Sequence, residues 1–81
     1  MILSPLELES LVGNSALGEN IRKALGTALR TAVYEPGRAY EDKYAALGNP
    51  EAYDCPDDEM LMLFAEYLQE RTAGMLLNVE L

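Results

Sequence analysis

The sequence predicts an all-α fold, a small compact bundle of about four helices closed by a short apolar C-terminal tail. Three observations predict it: a Ser4-Pro5-Leu6-Glu7 helix start, an apolar repeat of four-residue spacing from Leu17 to Val33, and glycine or proline after each periodic stretch. At 81 residues, the chain reads as one helical domain over 1–81.

The first helix opens with Ser4 as cap, Pro5 at the first helical position and Glu7 three residues after the cap. Leu8, Leu11 and Val12 then share a face. Gly13 supplies a stop, giving about two turns. The second helix spans roughly 15–34, where Leu17, Ile21, Leu25, Leu29 and Val33 repeat and Ala24, Ala28 and Ala32 form a parallel stripe. Glu19, Lys23, Gly26, Thr27 and Arg30 fall on the opposite side. Pro36-Gly37 ends the element.

A third helix is expected over 38–47, with Tyr40, Tyr44 and Leu47 on one side and Glu41, Asp42 and Lys43 on the other. Gly48-Asn49-Pro50 stops it, and 50–56 reads as a loop. The fourth helix is expected over 57–73. Asp57, Asp58 and Glu59 sit in its first turn, where the helix dipole favours negative charge. Met60, Leu61, Phe64, Tyr67 and Leu68 build its core face, and Gly74 is its exit. The tail 75–81 suits a strand, a docked extended segment or another helical turn. The second and fourth helices are expected to form the main pair, with the others closing the core.

Composition bounds the function. With 49% hydrophobic and 25% charged residues the chain is too apolar for disorder. The apolar run Met60–Ala65 is far short of a membrane span, and no signal-peptide pattern follows Met1-Ile2-Leu3. Cys55 is the single cysteine and there is no histidine, so neither an internal disulfide nor a histidine-completed zinc site is available. A cytoplasmic protein without membrane attachment is expected. A domain this small gains from oligomerisation or partner binding.

The formal net charge of −8 is confined to one stretch. Between Ala39 and Glu70 lie nine acids and one base, Lys43, whereas the flanking segments are each balanced. A field of one sign selects partners and speeds encounter. It disfavours direct nucleic-acid binding and favours a protein partner with a basic surface.

Catalytic patterns are lacking. General acid–base chemistry wants histidine or a buried carboxylate, and these acids fall on exposed faces or helix starts. Glu35 and Glu66 are the candidates for a buried exception. Cys55 has no histidine partner, and Asp54, Asp57 and Asp58 beside it disfavour a thiolate. The run Asp54–Glu59 lacks the residue order of an EF-hand loop, and the glycines form no phosphate cradle. Neither cofactor nor metal is expected, and the chain does not read as an enzyme.

The expected function is a non-catalytic acidic protein-binding module. It would act as an inhibitor or regulator that fills the basic, nucleic-acid-binding groove of a larger protein, a strategy suited to phage or mobile-element proteins. Glu41, Asp42, Asp57, Asp58, Glu59, Glu66 and Glu70 are expected to supply the field. Tyr40, Tyr53 and Met62 are candidate apolar anchors. Tyr40 also fits a core position, and Met62, which projects among Asp58, Glu66 and Gln69, also fits a covered rim. The alternatives are a homo-oligomeric assembly subunit, built from the alanine stripe and the apolar tail, and an antitoxin-like adaptor for one cognate protein.

Overall fold

The computed structural model describes residues 1–14, 16–71 and 75–80. In chain order these form β1 (Ile2–Leu3), α1 (Pro5–Asn14), α2 (Glu19–Val33), two 3₁₀ segments (Asp42–Gly48 and Pro50–Tyr53), α3 (Asp58–Arg71) and β2 (Leu77–Asn78). The bundle is all-α apart from this two-stranded ribbon.

The helix α1 starts as its sequence requires. Ser4 Oγ accepts from the Glu7 amide at 3.2 Å, and Glu7 Oε1 accepts from the Ser4 amide at 3.0 Å. This reciprocal pair satisfies two donors that a helix start otherwise leaves open. The Ser4 amide, then the Ser4 hydroxyl, holds the Glu7 carboxyl below its ordinary value. Ser4→Ala is expected to cost about 1 kcal/mol of stability, read by denaturant unfolding. The helix runs one residue past Gly13, which is helical and ends nothing.

The helix α2 begins later than its periodicity suggests. Gly18 is its cap residue, extended and without a side chain to bond, and 16–18 are irregular. The expected start at Ser15 lies outside the described residues. Leu25, Leu29 and Val33 are buried as the repeat predicts. Gly26 is buried too, a correction to its placement on the polar side, because the Pro50–Tyr53 segment packs against it. After α2, Pro36-Gly37 forms a turn in which the Arg38 amide donates to Glu35 O at 3.2 Å. Gly37 has φ +78°, which only glycine adopts without strain at that position of a type II turn.

The expected α-helix over 38–47 is a 3₁₀ segment that starts only at Asp42. Tyr40 is drawn out of helical register because its hydroxyl donates back to Val33 O at 2.8 Å. The expected loop 50–56 begins with a second 3₁₀ turn. Asn49 Oδ1 accepts from the Glu51 amide at 3.1 Å, and Pro50 occupies the first position. The helix α3 is capped by Asp57, whose Oδ1 accepts from the Met60 amide at 2.9 Å. Its expected end at Ala73 and Gly74 lies outside the described residues.

Within the tail, Leu77–Asn78 forms a strand. β2 pairs antiparallel with β1 in the register Ile2↔Asn78 and Leu3↔Leu77. Alternation turns Leu3, Leu77 and Val79 into the core. The packing order also differs from expectation: α1, not α2, lies along α3, while α2 packs on the second 3₁₀ segment and β2. Leu8 and Val12 of α1 meet the interior formed by Leu61, Phe64, Ala65 and Leu68. Aromatic rings fill the other side, with Tyr53 between Tyr34 (5.4 Å) and Phe64 (5.0 Å), and Tyr67 between Tyr40 (6.1 Å) and Tyr44 (5.1 Å).

Candidate protein-binding surface

The acids from 41 to 70 lie on the 3₁₀ segments and on the start, outer face and end of α3. They divide by what holds them. At the C-terminal end of α3 the charges balance. Arg71 pairs with Glu41, and Lys43 donates to Glu70 at 3.0–3.1 Å. Tyr44 also donates to Glu70, at 2.6 Å; its ring is buried while its hydroxyl reaches this exposed carboxylate. The Tyr44 bond, then that of Lys43, holds the Glu70 carboxyl below its ordinary value. Burial of the ring, then the bond to Glu70, pushes the Tyr44 hydroxyl up.

The sign of the Glu70 shift sets a pH dependence. A carboxyl whose folded pKa is depressed stabilises fully above its unfolded pKa, and that contribution is lost as pH falls through the folded value. The melting temperature is therefore expected to fall below about pH 4.5, and Glu70→Gln to show a shallower acid-side drop. Thermal melts across that range check it.

At the N-terminal end of α3, Asp57 is occupied as the cap and Asp58 by Arg22 at 2.5 Å. The same guanidinium donates to Pro56 O at 3.0 Å and Leu17 O at 3.3 Å, tying the loop before α3 to α2. These are structural duties. Glu59 and Glu66 stand two turns apart on the exposed face of α3, and Asp42, Glu51 and Asp54 are exposed on the 3₁₀ segments and the loop after them. None of these five has a cationic partner among the described residues. All six bases are already engaged: five in ion pairs, and Arg30 over the Tyr34 ring at 5.4 Å.

The three candidate anchors separate clearly. Tyr53 is 3% exposed, and its hydroxyl donates to Leu47 O at 2.6 Å. Burial, then neighbouring tyrosines, pushes that hydroxyl well above the ordinary range. It is a core residue and presents no surface, which corrects the anchor assignment. Tyr40 is half-buried, bonded to Val33 and stacked under Arg38 at 4.9 Å. Met62 is half-buried and packs against the core at the border of the exposed face of α3 that carries Glu59 and Glu66.

Glu41, Asp57, Asp58 and Glu70 are expected from the sequence to supply the field, and each has an internal partner. That expectation leaves Glu51 and Asp54 out of the surface, although their exposure makes them equal to Asp42. Among the described residues no charged side chain is buried, no three Asp, Glu or Cys residues converge as metal ligands, and no helix is long and apolar enough to cross a membrane. The chain matches no family model, and neither a curated protein nor a solved structure is similar to it.

Proposed function

We propose that this chain is a non-catalytic protein-binding module that meets a basic surface of a larger protein, the kind of groove that holds nucleic acid. One observation carries the reading. Every cation has a partner within the chain, an acid or, for Arg30, a ring, while Asp42, Glu51, Asp54, Glu59 and Glu66 are exposed with no cationic partner among the described residues, on one continuous stretch of chain. Such a surplus gains most from a partner that supplies cations, and it accelerates the encounter. Met62, half-buried on α3 near Glu66, is the apolar contact we assign to it.

An enzyme is disfavoured because, among the described residues, no charged side chain is buried, and Cys55 has no histidine to act as its base. An obligate oligomer is disfavoured because Leu77 and Val79 of the tail are already buried in the chain's own core.

The test immobilises the chain, captures proteins from lysate at low salt, and adds duplex DNA or salt. A captured basic protein that both agents release, and whose DNA binding the free chain blocks, supports the proposal. A captured protein that still binds DNA when saturated with this chain overturns it.

A further inference from the structure

Four large apolar side chains are exposed among the described residues, Met1, Ile2, Leu6 and Leu76, and all belong to the β1–β2 ribbon or the segments adjoining it. Met1 and Val79 exchange both backbone hydrogen bonds at 2.7 Å, so they form a hydrogen-bonded pair. Antiparallel alternation then makes Ile2–Asn78 the non-hydrogen-bonded pair. The Asn78 N–H and C=O therefore point away from β1, along an open edge of β2. They have no backbone partner among the described residues.

That edge borders a groove of about 750 Å³ whose far wall is the Ala24, Ala28 and Ala32 face of α2. Between Lys23 and Ala32, α2 rises about 13.5 Å. An extended segment from Leu76 to Glu80 spans about 13 Å. The groove is thus as long as the strand that borders it.

Charge selects the occupant. Lys23 and Glu80, one of each sign, are the charged residues of the groove, while the surplus acids lie elsewhere, between 39 and 70. Two copies can meet here without opposing their acidic stretches. A basic ligand would instead be drawn to those acids.

We propose that the groove receives β2 of a second copy, paired antiparallel about a two-fold axis at Asn78. The two Asn78 residues exchange backbone hydrogen bonds, extending the ribbon to four strands. Leu76 of each copy lies across from Glu80 of the other, whose carboxylate enters the groove that holds Lys23. The acidic surface stays free in both copies, so this inference does not rest on the proposed function.

Sedimentation equilibrium from micromolar to millimolar concentration tests it. A reversible dimer is expected, and it tightens as salt rises because screening relieves repulsion between chains of charge −8. Asn78→Pro removes the outward N–H but no β1 bond, and is expected to weaken the dimer about tenfold or more. Lys23→Glu also weakens it, and adding Glu80→Lys restores it, a readout that survives if the proline variant loses the ribbon. A chain that stays monomeric throughout, leaving the edge to a foreign strand, overturns the proposal. So does a dimer indifferent to these substitutions.

Discussion

Gly26→Ala is expected to destabilise the protein by about 1–3 kcal/mol, although alanine is the better helix former by about 1 kcal/mol. A Cβ at this position would press into the Tyr53 carbonyl oxygen and sit 3.0 Å from Pro56 Cδ. The oxygen belongs to backbone that is held from several sides. Tyr53 donates to Leu47 O, its ring is wedged between Tyr34 and Phe64, and Asn49 caps the turn that carries it. Relief therefore requires moving a packed segment rather than one side chain. For a chain of this size, total stability is about 4–12 kcal/mol, so the loss is a large fraction of it. Gly26→Val, with two further methyl groups, is expected to abolish folding at ambient temperature. Gly13→Ala is the control, since nothing lies within 4 Å of its added Cβ, and it should be neutral or slightly stabilising. Denaturant unfolding of the variants decides it. A Gly26→Ala protein as stable as wild type would contradict the close packing of α2 on the second 3₁₀ segment.

Replacing Asp42, Glu51, Asp54, Glu59 and Glu66 by their amides is expected to slow association with a basic partner about tenfold to a hundredfold. The folded protein should be indifferent to the change, within about 0.5 kcal/mol, because none of these side chains makes an ion pair among the described residues. Glu41, Asp58 and Glu70 give the complementary result. They are tied to Arg71, Arg22 and Lys43, so their amides should alter local structure more than encounter rate. Stopped-flow association and thermal melts on both sets separate the roles. Equal effects per charge removed would show that total charge matters and the division into paired and free acids does not.

The parts of the fold that depend on neighbours in sequence were legible. The Ser4–Glu7 capping box and the Leu25, Leu29, Val33 repeat are local patterns, and both appear as read. Residues 38–47 misled because Tyr44 and Leu47 are three apart, a spacing that suits a 3₁₀ segment as well as an α-helix. What decides between them is Tyr40 reaching back to Val33, a tertiary contact. Gly26 gave no signal, since a glycine against another backbone looks in sequence like one facing water. The acidic stretch was equally plain as a field and opaque as a surface. Which acids are spent depends on Arg22, 36 residues before Asp58, and on Lys43, 27 residues before Glu70. Tyr53 was misassigned for the same reason, because the rings that enclose it come from Tyr34, at the end of α2, and Phe64 of α3.

The central claim is that free carboxylates on this surface occupy a cationic, nucleic-acid-binding groove. The most direct test measures the affinity for a captured basic partner across a salt series, with and without competing duplex DNA. The account predicts an affinity that falls steeply with salt, a shallower slope for the five-amide variant, and mutual exclusion with DNA. Salt-independent binding, or a stable ternary complex with DNA, would contradict it.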